Sequence, residues 1–190
     1  MVETDPEIPL HSMMPKAPII QLLADNEKLM SINKNILRSD ADYVVFAEAR
    51  DGIALDTVIK IASKGTRRLK ITFHTKSPVD FPYDVAAEIV KQLGGDIHFV
   101  ARKVADSFDY IFHFIQLKNK SQKRLKSIYE LSYDYAAQEI CMMEICTYNY
   151  QEDDWTWTAR VGADKERTAR EEDPEVFERF LRNLKELENG

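Results

Sequence analysis

Two polar residues, Glu48 and His74, each stand just beyond a short run of strand-forming residues. Tyr43-Val44-Val45-Phe46 precedes the first, and Leu69-Lys70-Ile71-Thr72-Phe73 precedes the second. A carboxylate in such a place can orient and polarise a water molecule, and an imidazole beside it can donate to a phosphate oxygen. The wholly apolar Tyr43–Phe46 run has the pattern of a strand buried on both faces of a parallel sheet. Between the two runs, Ile53, Leu55, Val58, Ile59 and Ala62 recur at helical spacing, with Gly65 placed as a C-terminal stop. A strand–helix–strand unit of this kind is right-handed with parallel strands, and open α/β sheets bind ligands beyond the carboxyl ends of those strands. Glu48 and His74 are therefore expected to reach one crevice. A glutamate after a strand is also a common cap or surface residue, so position alone does not assign catalysis.

The elements around this unit can be read in outline. Pro6, Pro9, Pro15 and Pro18 forbid a continuous helix near the N-terminus, so a short strand and then extended chain are expected there. Asp25 or Asn26 can cap a helix running through Leu29, Ile32, Ile36 and Leu37 to about Arg38. Ser77-Pro78-Val79-Asp80 suggests a helix start with a capping serine, proline at the first position and an acid three residues on; Pro82 blurs that start. Tyr83 to Leu93 has helical periodicity ending at Gly94-Gly95, and a short helix is expected over Ile97–Ala105. Phe108–Leu117, Arg124–Leu131, Glu139–Tyr150 and Trp155–Val161 read as an antiparallel meander. Asp173-Pro174 opens a final helix whose apolar stripe is Val176, Phe177, Phe180, Leu181, Leu184 and Leu187, expected to pack on its own domain. The organisation expected is residues 1–106 as the core, 107–162 as the meander and 163–190 as a C-terminal helix.

Composition excludes several classes. A hydrophobic fraction of 44% and charged fraction of 31% over 190 residues are those of a globular protein. No apolar run approaches the roughly 20 residues that span a bilayer, and the acidic start Val2-Glu3-Thr4-Asp5-Pro6-Glu7 is unlike a secretory signal, so the cytoplasm is the expected compartment. A net charge of −6 argues against broad nucleic-acid binding. Lys118, Lys120, Lys123, Arg124 and Lys126 form a local basic cluster, read as a solvated hairpin tip. Cys141 and Cys146 point to opposite faces of a strand at their odd spacing and are expected to be two buried small hydrophobes, with no shared metal or disulfide. His11, His98 and His113 read as surface or core-edge residues.

The wording around Glu48 and His74 resembles the type II/type IV secretion ATPases. Leu37-Arg38, a spacer ending in Asp42, four apolar residues and then Ala47-Glu48-Ala49-Arg50 fall in register with that family's Walker B region. Gly65 and Thr72-Phe73-His74-Thr75 are similar to its histidine box, and Val2-Glu3-Thr4-Asp5-Pro6-Glu7 is similar to its aspartate box. The Ala54-Leu55-Asp56 continuation looks most like the tight-adherence pilus and conjugation branch. The resemblance covers roughly residues 2–131. It implies an α/β fold: part of a RecA-like P-loop NTPase sheet, parallel strands with crossover helices, followed by the meander and the C-terminal helix. Where the family has glycine before the glutamate, this chain has Ala47. No Gly-x-x-x-x-Gly-Lys-Ser/Thr occurs anywhere in it, and the chain opens where the family has just completed its P-loop helix.

For the complete family motor, the resemblance implies ATP and Mg²⁺ as cofactors. It makes Glu48 the residue that positions or deprotonates the attacking water and His74 the sensor of the terminal phosphate. Arg50 is then either a partner of the acidic Glu3 or Asp5 or a stabiliser of phosphate charge. Glu3, Asp5, Arg38 and Asp42 would lie on the nucleotide-binding side, although Asp42 also suits a hydrogen bond at a strand start. The implied whole is a hexameric homo-oligomer powering pilus assembly or secretion, in the cytoplasm against inner-membrane platform proteins. This chain by itself is expected neither to bind nor to hydrolyse ATP. The alternative is a non-catalytic interaction protein that keeps half of the motor fold and docks on a secretion ATPase or membrane platform.

Overall fold

A computed structural model of the chain describes residues 1–3, 8–24, 28–29, 31, 36, 38, 41, 43–64, 68–117 and 122–190. They form two compact units, 1–108 and 109–190.

The first unit is built on a four-stranded parallel sheet in the order β2-β1-β3-β4. Its strands are β1 (Val2–Glu3), β2 (Leu22–Leu23), β3 (Val44–Phe46) and β4 (Leu69–Ile71). The registers Val44↔Leu69 and Phe46↔Ile71 join β3 to β4, and Val2↔Phe46 joins β1 to β3. The extended N-terminal chain expected from the prolines is more structured than that. It forms one helical turn, α1 (Leu10–Met13), and then the second strand β2. Two residues carry no periodicity, so β2 exists only because β1 is there to pair with it.

The helix expected between the two motif strands is α2 (Gly52–Ala62). Its N-terminus is set by Asp51, whose carboxylate accepts from the amides of Ile53 (2.9 Å) and Ala54 (3.0 Å), satisfying two donors that the first turn leaves unpaired. Beyond the expected stripe, Ala54, Thr57 and Ile61 are also buried. The helix is thus covered on most sides, and full burial of Leu55, Val58 and Ile61 contributes about 1.5–3 kcal/mol each. Helix α3 (Phe81–Leu93) packs across it at Gly52, where an added Cβ would lie 2.5 Å from the carbonyl oxygen of Glu88. Helix α4 (Ile97–Ser107) is capped by Asp96, which accepts from Phe99 N–H at 2.7 Å.

The start expected for α3 at Ser77 is corrected. Pro78–Asp80 is a 3₁₀ turn, Ser77 makes no side-chain cap, and the α-helix begins at Phe81 with a proline in its first turn. Pro82 has the fixed φ that suits a first turn. Thr75 braces the approach instead: its hydroxyl donates to Asp84 Oδ2 (2.6 Å) and accepts from Ser77 N–H (3.3 Å). Gly94, at φ 76°, ends the helix in the left-handed region that glycine enters without strain. Phe73, Phe81 and Phe108 meet edge to face at 5.7 and 5.6 Å and close this end of the core.

The second unit is an antiparallel meander, β5 (Tyr110–Gln116), β6 (Lys123–Asp134), β7 (Glu139–Asn149) and β8 (Asp154–Trp157), paired in chain order. Its core gathers Ile128, Ile145, Cys146 and Leu184, flanked by Leu125, Trp155, Trp157, Ala159 and Val161. Trp155 is oriented by donating its indole N–H to Leu125 O at 2.8 Å. The C-terminal segment is two helices rather than the single one expected, α5 (Ala163–Glu172) and α6 (Pro174–Asn189). Helix α5 buries no residue and so shows no apolar stripe, which is why hydrophobic periodicity missed it. Asp173 separates the two and caps α6 through Val176 N–H at 3.0 Å. The α6 stripe is only half packed: Phe177 and Leu184 are buried, while Val176, Phe180 and Leu187 are exposed.

Their odd spacing predicts opposite faces for the cysteines, but their partners on β6, Ser132 and Ile128, are four residues apart, which puts Cys141 and Cys146 on one face, and only Cys146 is buried. Cys141 is exposed, against expectation. A register shift between Ile128 and Tyr129 leaves Ile145 as an extra residue in β7, so Ile145 and Cys146 are consecutive and both buried. No helix among the described residues is long and apolar enough to cross a membrane.

Candidate functional site

The carboxyl ends of β1, β3 and β4 lie side by side because their strands are parallel and in register. Each runs on into polar chain at the same edge. Glu3 is the last residue of β1, Glu48 follows Phe46 by two positions, and His74 follows Ile71 by three.

The segment after β3 is held by its neighbours on both sides. Ala47 N–H donates to Val2 O at 3.0 Å, and Ala49 N–H donates to Thr72 O at 3.4 Å. The Thr72 hydroxyl donates to Ala47 O, which makes Thr72 a tether for the residue before Glu48. Among the described residues, non-glycine positive φ occurs at Gln138 and Asp153, so Ala47 occupies ordinary backbone space and its Cβ is accommodated.

Glu48 is mostly withdrawn from solvent, with 13% of its side chain exposed, and a guanidinium and an imidazole meet it. Arg50 Nε pairs with Glu48 Oε1, and His74 Nε2 stands 3.9 Å from the same oxygen. His74 is 95% exposed and Arg50 68% exposed, so both can turn toward a ligand while Glu48 stays in place. A fixed carboxylate beside two mobile cationic or hydrogen-bonding groups is an arrangement able to hold a water and face a developing negative charge.

Glu3, on the adjacent strand, is buried at 2% exposure. It accepts from Ile8 N–H at 3.1 Å and from the Gln21 side-chain amide, which also donates to Ile8 O at 3.1 Å. Gln21 and Ile8 carry no motif signal, and only the fold brings them to Glu3. Asp51 was also missed as a functional support, although an aspartate followed by glycine and an apolar run is the usual cap signature. Arg38 is helical and exposed, and no contact places it with Glu48. Asp5 and Asp42 lie outside the described residues.

Among the described residues, the adjacent glycines do not open a helix N-terminus. The adjacent pair Gly94-Gly95 closes the C-terminal end of α3, where the helix dipole disfavours an anion, and the helix after it begins on the acidic cap Asp96. Among the described residues, no group of three or more His, Cys, Asp or Glu is placed to hold a metal ion.

No protein-family profile matches the chain, and no curated protein matches it. Among solved structures, it is similar to the VirB11 ATPase of the Brucella suis type IV secretion system, determined in complex with sulphate. The TM-score is 0.55 at 18% identity, covering 68% of this chain and 38% of that one. The similarity is one of fold, and the chain spans well under half the length of that ATPase.

Proposed function

We propose that this chain is part of a nucleotide-driven secretion motor, contributing the edge of the active site that positions water and senses the terminal phosphate. The observation that carries the reading is the withdrawn Glu48 carboxylate at the end of β3, 3.9 Å from His74 at the end of its parallel neighbour and paired with Arg50. The fold likeness to a type IV secretion ATPase supports it. When bound, Mg-ATP supplies the phosphoryl group that is transferred to water. Glu48 accepts a hydrogen bond from that water and orients it. His74 donates to a phosphate oxygen, and its exposure leaves it free to move when that contact is lost. Arg50, paired with Glu48, stands close enough to neutralise charge that develops there. The phosphates themselves are held by residues outside these 190, in a homo-oligomeric, hexameric motor that works against inner-membrane platform proteins of a pilus or secretion system. Glu3, Asp5, Arg38 and Asp42 complete the nucleotide side.

Two measurements test this. The 190-residue chain alone, titrated with a fluorescent ATP analogue and Mg²⁺, shows no binding at micromolar nucleotide; tight binding overturns the division of labour. In an assembly that includes a phosphate-binding loop, Glu48→Gln lowers hydrolysis by at least about 100-fold while nucleotide binding persists. An unchanged rate there leaves the chain as a non-catalytic docking module.

A further inference from the structure

Beyond the end of β4, successive residues reach alternate neighbours. Thr72 and His74 turn toward the chain that follows β3. Thr72 N–H donates to Phe46 O at 3.3 Å, its carbonyl accepts from Ala49 N–H at 3.4 Å, and its hydroxyl donates to Ala47 O. His74 Nε2 stands 3.9 Å from Glu48 Oε1. Phe73 and Thr75 turn the other way, as alternation along an extended segment requires. Phe73 meets the Phe81 ring edge to face at 5.7 Å, and the Thr75 hydroxyl donates to Asp84 Oδ2 at 2.6 Å. Phe81 and Asp84 lie in the first turn of α3, three residues apart, which puts them on one face of that helix. The Thr75 hydroxyl has a second acceptor within reach, Ser77 O at 2.9 Å. It carries one proton, and the nearer carboxylate is the stronger acceptor. A bond to Ser77 would close the turn on itself, whereas the bond to Asp84 fastens the turn to a helix.

We infer that Thr75 and Asp84 are positioning residues for His74. Together with Thr72 they suspend its backbone between β3 and α3, so the imidazole approaches Glu48 or a phosphate oxygen by side-chain rotation on a fixed base. The inference rests on the role proposed for His74 and names the residues that prepare it. His74 itself is 95% exposed, so what the two fastenings hold is its backbone and not its ring. A sensor on a loose segment would have to order that segment each time it engaged, and holding the backbone beforehand removes the cost. Placement matters on a fine scale, since a displacement of about 1 Å at a reacting group can cost about 100-fold in rate. Thr75 and Asp84 take no part in the chemistry and act through His74. Losing Asp84 leaves the turn able to form, because the Thr75 hydroxyl can fall back on Ser77 O; only the link to α3 is cut.

The clasp and its use have separate readouts. In the whole 190-residue chain, backbone NMR relaxation is expected to give order parameters of about 0.85 at His74 and Thr75, as in rigid backbone. Asp84→Ala is expected to lower them below about 0.6 with an unchanged circular dichroism spectrum. Thr75→Val, which keeps the shape and loses the hydroxyl, has the same effect, and Asp84→Asn, which keeps an acceptor oxygen, restores the order. Low order at His74 in the unaltered chain, or no change in Asp84→Ala, overturns the inference. In an assembly that includes a phosphate-binding loop, His74→Ala is the reference. There Asp84→Ala is expected to lower kcat by about tenfold with KM within about twofold, and to add nothing to His74→Ala, because a positioning residue has no effect once its group is gone. Additive losses overturn the inference, since Asp84 would then act elsewhere. If His74→Ala slows hydrolysis and Asp84→Ala does not, this inference alone fails. If His74→Ala leaves the rate unchanged, the role proposed for His74 fails and takes this one with it.

Discussion

Glu48, Arg50 and His74 differ in how firmly the fold holds them, and that difference bears on what each can do. The backbone around Glu48 is tied to Val2 on one side and Thr72 on the other, and its side chain is largely withdrawn. His74 and Arg50 project into solvent. A held carboxylate beside an exposed guanidinium and imidazole suits a site that responds to ligand. Exposure also separates the two thiols. Cys146 is buried, and burial, with the Glu144 carboxylate as a lesser cause, pushes its pKa up to about 11. The thiolate is the reactive form, so at pH 8 almost none of Cys146 is available, and it is buried besides, whereas Cys141 is exposed to reagent. One thiol per chain is expected to react rapidly with an aromatic disulfide reagent, and the second only above about pH 10 or in denaturant. Two thiols titrating at equal rates at pH 8 would contradict the burial of Cys146. The placement of Glu48 and His74 was legible because strand, helix and strand each carry local patterns. The burial of Glu3 was not, because Gln21 and Ile8 reach it only through β1–β2 pairing.

At the scale of elements, helix α2 links the two strands that carry the site, and its start is the point most open to test. Asp51 satisfies two amides of the first turn, and its loss is expected to cost about 1 kcal/mol. Gly52 is buried where α2 crosses α3, with Glu88 O in the way of any side chain. Gly52→Val is expected to cost more, about 2–3 kcal/mol, because a buried backbone oxygen cannot move aside as a flexible side chain can. Urea denaturation of Asp51→Ala and Gly52→Val checks both; a Gly52→Val midpoint at or above that of Asp51→Ala would show that the crossing is looser than described. Gly162 repeats the theme in the second unit. It donates its N–H to both oxygens of the buried Glu130 carboxylate, at 3.0 and 3.1 Å, and has no room for a Cβ against it. Neither glycine stands in a turn motif, so neither could be read from sequence as a position requiring closeness.

At the scale of the molecule, the two units rest on different physics. The parallel strands are two or three residues long, and their stability comes from helices that bury apolar side chains. In the second unit, β6 and β7 run for 12 and 11 residues and carry their own ladder. Native-state hydrogen exchange is expected to find the slowest amides in the centre of β6 and β7 and in α2, and fast exchange at β1 and β2. Slow exchange at β2 would mean that a longer pairing protects it.

What the sequence determined by itself was whatever is written locally. Alternation marked the meander, helical spacing marked α2 and α3, Asp173 marked the start of α6, and the polar residues after two strands marked where Glu48 and His74 meet. What tertiary structure decided was whatever needs a partner. β2 required β1, the exposure of Cys141 beside the buried Ile145–Cys146 step required the β6–β7 register shift, and the unburied α5 left no apolar pattern to read. The divide follows from range. Side-chain periodicity and capping act over a few residues, whereas pairing register and close backbone approach are set by segments tens of residues apart.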